Sequence, residues 1–152
     1  MKPRVKLLLP EHLEEVFRQS YSSLPDSVKN IRTFYGLYAD KRCVFFDVGN
    51  MGGAMWLANL QIGFKASIHL VLWEKDLLGR PGDAKLVLKD IMDMFSLKRV
   101  EVYIPAGLRF SRLACRYAEK VGMVLEGVLR KSEFYGGERV DIYVYSILLE
   151  EI

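Results

Sequence analysis

The chain has 152 residues, 51% hydrophobic and 27% charged, as expected of one globular domain of ordinary size and not of a disordered segment. Its 22 Lys and Arg against 19 Asp and Glu leave a formal charge of +3, too weak for the clustered basic stripe of a nucleic-acid binder. Two cysteines and two histidines give no zinc spacing, and no apolar run approaches the ~20 residues of a membrane span.

Cys43 and Cys115 lie far apart among apolar neighbours and read as small buried hydrophobes of a reducing compartment. The basic start Met1-Lys2-Pro3-Arg4 is followed by too short an apolar run for a secretory leader, so a cytoplasmic location is expected.

Val5 to Leu9 reads as a short strand punctuated by Pro10. Leu13, Val16, Phe17 and Tyr21 then share one helical face, with Glu11, Glu14 and Glu15 near the start, where negative charge suits the helix dipole. Pro25-Asp26-Ser27 opens a second helix with Val28, Ile31, Tyr35 and Tyr38 as its inward stripe. Strands follow at Cys43 to Val48, Ala54 to Ile62 and Ala66 to Trp73, joined by Gly-rich turns in an antiparallel meander.

Leu77 to Asp83 is a Gly/Pro loop feeding a third helix, whose inward face is Ala84, Val87, Leu88, Ile91, Met94 and Phe95. Arg99 to Ile104 is a strand and Ser111 to Val121 a fourth helix, with Gly122 as its C-terminal cap. Arg109, Arg112, Arg116 and Lys120 read as the solvated side of that helix. Met123 to Phe134 and Arg139 to Leu148 pair around the turn Tyr135-Gly136-Gly137-Glu138. The order is β-α-α-β-β-β-α-β-α-β-β in a single domain spanning residues 1–152.

The loop before the third helix has the makings of an anion site. A helix N-terminus offers unpaired backbone N–H groups, and glycines allow close approach. Gly79, Gly82 and Ala84 supply the slim backbone, and Arg80 and Lys85 supply positive charge. Asp83 opposes an anion unless its side chain caps the helix. The loop lacks the ending of a nucleotide-hydrolase P-loop and the GxGxxG fingerprint.

The C-terminal third carries a family resemblance. The run Ala118-Glu119-Lys120-Val121-Gly122-Met123-Val124-Leu125-Glu126-Gly127-Val128-Leu129-Arg130 is similar to the end of a GNAT acetyltransferase. So is its continuation from Phe134 through Gly136-Gly137 and Asp141 to Ser146. With the opening Leu9-Pro10-Glu11-His12-Leu13, it most resembles the ribosomal-protein N-terminal acetyltransferase branch. The resemblance implies an α/β (α+β) domain with a mixed, mostly antiparallel sheet of six or seven strands flanked by four helices. It also implies transfer of an acetyl group from acetyl-CoA, by direct attack, to an amine of a protein or small molecule. The pyrophosphate of coenzyme A would then lie over Gly79 to Lys85, where Gly82 and Ala84 match the family loop and Gly79 stands in place of its leading Gln or Arg. Ser111 occupies the position of a cofactor-contacting Asn, and Trp73 the path of the pantetheine arm. The family's acid tyrosine falls on Ala118, next to Tyr117.

Acyl transfer to an amine uses a base near neutral pH, a role open to His69 on the third strand of the meander and to Glu74 at its end. No metal, nucleic acid or membrane is expected to take part. The acceptor and the oligomeric state are left open. The alternative is a binding or structural protein on the same scaffold without catalysis, since a fold does not fix a function.

Overall fold

The computed structural model describes residues 4–78 and 80–152. Segments rich in β-branched and aromatic residues form one seven-stranded sheet, and the amphipathic stretches between them pack on its two faces. In chain order the elements are β1 (Val5–Leu7), α1 (Leu13–Ser20), α2 (Ile31–Ala39), β2 (Val44–Val48), β3 (Gly53–Gln61), β4 (Lys65–Leu72), α3 (Lys75–Leu78), α4 (Pro81–Met94), β5 (Arg99–Pro105), α5 (Ser111–Val121), β6 (Val124–Tyr135) and β7 (Glu138–Leu148). The spatial order is β1-β2-β3-β4-β5-β7-β6.

Every neighbouring pair is antiparallel except β4 and β5, which run parallel because α4 is their crossover. The expected fold is therefore present, with one helix more than expected: the four-residue α3 forms between the third strand of the meander and the Gly/Pro loop, taking in the first two residues of that loop.

Alternation along the strands separates two cores. Phe45, Ala54 and Trp56 meet Leu13, Val16 and Phe34 of α1 and α2 on one face. Phe46, Met55, Leu57 and Val100 meet Leu88, Ile91 and Met92 of α4 on the other, where Ala118 and Val121 of α5 also pack.

Two helical stripes differ from expectation. The second helix begins at Ile31, because the Asn30 side chain accepts the N–H groups of Arg32 and Thr33 and caps it there. That start turns Phe34 inward, fully buried, and leaves Ile31 and Tyr35 exposed. In α4, Met92 is buried and Met94 is 62% exposed, because at about 100° per residue Met94 falls at the edge of the stripe set by Leu88, Ile91 and Met92. Phe95, the residue that caps α4, is only partly buried. Ile91→Ala or Met92→Ala should therefore cost about 2–5 kcal/mol in urea unfolding, and Met94→Ala less than about 0.5 kcal/mol.

Candidate active site

The site follows from how β4 and β5 pair. They are in register only at Lys65↔Arg99, Ala66↔Val100 and Ser67↔Glu101. Beyond that, β4 stays bonded to β3 as far as Leu72↔Gly53, and β5 stays bonded to β7 as far as Pro105↔Ile142. Each strand is held by its outer neighbour, so the two part like the arms of a V. The edge of β4 from Ile68 to Leu72 thus has no strand on its β5 side, and a cleft of about 640 Å3 opens there.

The cleft passes through the sheet. On the α4/α5 face its wall is formed by Leu77, Pro81, Ala84, Val87, Ala114 and Tyr117, with Arg116 and Lys120 as cations. On the α1/α2 face it is formed by Gln19, Ser22, Ser23, His69, Tyr103 and Tyr135. One opening is cationic and next to a helix N-terminus, while the other is polar and uncharged.

Pro81 opens α4 at a position where a missing N–H costs nothing. Asp83 and Ala84 both donate their N–H to Arg80 O. Gly82 is exposed, and apart from its chain neighbours and its own helix backbone no described atom lies within 4 Å of a Cβ built on it, so its backbone is open to an incoming group. Arg80 is largely exposed, with Nη1 3.9 Å from Asp83 Oδ2. Burial, then the nearby Asp83 charge, pushes the Tyr117 phenol up from its ordinary value. Lys85 turns the other way. Its Nζ lies 3.4 Å from the position a Cβ would take on Gly122, beside the C-terminal carbonyls of α5 that a cation suits. Gly79 lies outside the described residues.

Three other expected site residues are placed differently from their sequence reading. Trp73 lies beyond the end of β4 and off the cleft wall, its indole N–H donating to Met51 O at 2.7 Å and its ring packed against the α1/α2 core. Leu77 of α3 occupies the wall instead. Glu74 is exposed and folds over Gly52, also off the wall, because its backbone N–H is tied to Gly52 O at 2.9 Å. Ser111 is buried, and its hydroxyl donates to Pro105 O at 2.5 Å and accepts from Leu108 N at 2.9 Å. It braces the turn between β5 and α5.

His69 does line the cleft. Its ring stacks on Trp56 at 4.2 Å, Trp56 stacks on Phe45 at 5.0 Å, and Ser23 Oγ lies 3.4 Å from Nε2. Burial without a charged partner pulls its pKa down to about 4. It is neutral at pH 7 and too weakly basic for a general base there.

Two features were not visible as site elements in the sequence. Arg116 and Lys120, read as solvent-facing, stand on the cleft wall. Asp26 accepts the N–H groups of Gly136 and Gly137 at 2.8 and 2.7 Å, tying the α1–α2 connection to the β6–β7 hairpin tip. Both glycines have positive φ, +60° and +80°, as a two-residue hairpin turn requires. Those two amides hold the Asp26 carboxyl below its ordinary range. The tie joins the segments that carry Ser23 and Tyr135, both of which line the uncharged opening. Burial pushes Tyr135 up to about 12.

A mixed sheet with one splayed parallel pair, a Gly-containing helix N-terminus beside the splay and two openings defines the GNAT N-acetyltransferase fold that the sequence resembles. The solved structures agree. Spermidine N-acetyltransferase of Vibrio cholerae, in complex with CoA and spermine, matches with a TM-score of 0.75 at 17% identity, over 99% of this chain and 97% of that one. The same enzyme with manganese ions matches at 0.70 and 17%, over 98% and 94%. An inferred acetyltransferase matches at 0.72 and 24%, over 99% and 84%. At these identities the likeness is one of fold. The named enzymes are polyamine acetyltransferases, so they do not support the ribosomal-protein branch. No family model and no curated protein sequence matches the chain. Among the described residues, no helix is long and apolar enough to cross a membrane.

The His69 environment has a pH consequence. Its pKa is about 4 in the fold and returns towards 6.5 on unfolding, so the unfolded chain binds the proton first as pH falls. This contribution to stability is whole above pH 6.5 and is lost progressively towards pH 4. Between pH 7 and 4.5, urea unfolding of wild type should lose about 2 kcal/mol more than His69→Gln does.

Proposed function

We propose that the protein is an acetyl-CoA-dependent N-acetyltransferase, in which donor and acceptor enter from opposite faces of the sheet and meet where β4 and β5 separate. The observation that carries this reading is the through-sheet cleft, cationic and helix-capped at one opening and uncharged at the other. Its volume of about 640 Å3 is within the range of small-molecule sites.

The residues present fit the donor. The open backbone at Gly82 and Ala84, with the Arg80 side chain, would take the pyrophosphate. Arg116 and Lys120 would take the remaining phosphate, and Leu72 and Leu77 offer an apolar wall to the pantetheine arm. Ser111 supports this wall by bracing the turn before α5. When bound, acetyl-CoA supplies an activated thioester carbonyl.

The unpaired edge of β4 offers backbone N–H donors of the kind that stabilise charge developing on an oxygen. Tyr117, kept protonated by its raised pKa, is a proton donor on the same wall. His69 holds the acceptor side neutral, so the amine must arrive deprotonated to attack directly. The acceptor is an amine of a small molecule or a protein. The spermine found on the V. cholerae enzyme favours a small molecule over the ribosomal protein suggested by the sequence resemblance.

The use of the Ser111 hydroxyl within its own loop favours a second reading, a scaffold without catalysis. Titration calorimetry with acetyl-CoA separates the two. Wild type should bind, Gly82→Val should lose at least about tenfold in affinity while melting normally, and Arg80→Ala should weaken binding more at low salt than at high. No heat and no thermal shift with wild type at millimolar acetyl-CoA would replace the enzyme reading with the scaffold.

A further inference from the structure

The uncharged opening selects among amines. Its wall consists of Gln19, Ser22, Ser23, His69, Tyr103 and Tyr135, and among the described residues no carboxylate lines the cleft. Three carboxylates that bond wall residues or the hairpin next to Tyr135 are already engaged. Glu15 accepts from Arg18 and from Gln19 Nε2 at 3.1 Å. Asp26 holds the two hairpin amides, with Lys29 Nζ 3.9 Å away. Glu101 accepts from Tyr103 Oη at 2.6 Å and Arg99 Nε at 3.1 Å, with Lys65 Nζ at 3.5 Å.

A cation moved from water onto such a wall loses hydration and gains no counter-charge, whereas a neutral amine of the same shape loses little. A polyamine would meet that difference at each of its charged nitrogens. The neutral His69 neither offers a negative partner nor removes a proton near pH 7. The charge pattern thus differs from what a spermine-binding site needs, although the fold is shared.

Resting on the N-acetyltransferase reading, we propose that the acceptor is a weakly basic monoamine, a small molecule whose nitrogen is uncharged in a sizeable fraction near neutral pH and which carries no second positive charge. Two chemical sources meet that description, an aromatic amine and the α-amine of an amino-acid amide. An α-amine, with pKa about 7.7–8.0, is neutral in roughly one molecule in ten at pH 7, and a lysine-type amine, at about 10.4, in fewer than roughly one in a thousand. Direct attack uses only the neutral fraction. Tyr103, Tyr135 and the stacked His69 also present flat side-chain surface to a ring.

The test is release of coenzyme A from acetyl-CoA by the purified full chain at pH 7, with four acceptors: aniline, phenylalanine amide, Nα-acetyl-lysine amide and spermidine. We expect kcat/KM for aniline or phenylalanine amide to exceed that for spermidine and for the lysine derivative by at least about tenfold, consistent with the neutral fractions. The comparison of aniline with phenylalanine amide tells which source is preferred. Ser22→Glu places a carboxylate on the wall and should raise kcat/KM for spermidine at least about tenfold, a gain that misfolding cannot mimic.

Equal or better use of spermidine by wild type overturns the proposal. So does a Ser22→Glu variant of unchanged melting temperature that shows no gain. Turnover of none of the four, with a melting temperature still raised by acetyl-CoA, overturns the acceptor class and leaves donor binding standing. Turnover of none and no thermal shift overturn both readings.

Discussion

Everything functional in this fold depends on a contest for backbone hydrogen bonds. β4 and β5 begin as a parallel pair, but each is bonded more extensively to its other neighbour, β4 to β3 and β5 to β7. A strand fully bonded on one side is directed by that partner, and the strands of this twisted sheet diverge after Ser67 and Glu101. The cost is a row of backbone groups without a strand partner, which must meet water or a bound group. The cleft, its polar edge and its passage through the sheet all follow from that divergence.

A passage through a sheet separates two environments by construction. Alternation sends Ile68 to the α4/α5 face and His69 to the α1/α2 face, so consecutive residues of one strand serve different openings. The helix N-terminus and the cations Arg80, Arg116 and Lys120 all belong to the first. The second is built on an aromatic layer of Phe34, Phe45, Trp56 and His69, where burial rather than a partner sets the histidine's charge state. Negative charge is thus favoured at one opening, and neutral groups at the other.

The second opening depends on a contact between segments 110 residues apart. Two adjacent backbone N–H groups at a Gly-Gly hairpin make a small donor pair, and the Asp26 carboxylate is shaped to accept both. Burying so few atoms, this contact does little for the core. Its importance lies in fixing the distance between two walls that otherwise share no secondary structure.

Much of the architecture was legible in the sequence. The spacing of Ala118 and Val121, with Gly122 after them, gave α5 its observed limits, because hydrophobic periodicity and a left-handed cap are local signals. The hairpin at Gly136-Gly137 and the parallel β4–β5 pair were local consequences too, the one of turn chemistry and the other of a helix lying between two strands. The slim, exposed backbone at Gly82 was readable from composition, although the helix begins at Pro81 and takes in the part of the loop from there to Asp83. Which face of a helix lies inward is a weaker local signal, as Ile31, Tyr35 and Met94 show: all fit the inward spacing, yet capping by Asn30 leaves the first two exposed and Met94 sits at the edge of the stripe of Leu88, Ile91 and Met92. Charge on a wall was not readable at all. Arg116 and Lys120 have the spacing of any solvated helix face, and only the packing of α5 beside the splay brings them to the cleft. Likewise Trp73 continues the strand alternation of His69 and Glu74 comes next, but both backbone N–H groups bond to Gly52 O, which holds their side chains off the wall. The sequence by itself determined the elements, their order and the parallel crossover, because these depend on neighbours a few residues apart. Which side chains share the cleft, and the neutral state of His69, were decided only by tertiary structure, because both depend on groups brought together from distant parts of the chain.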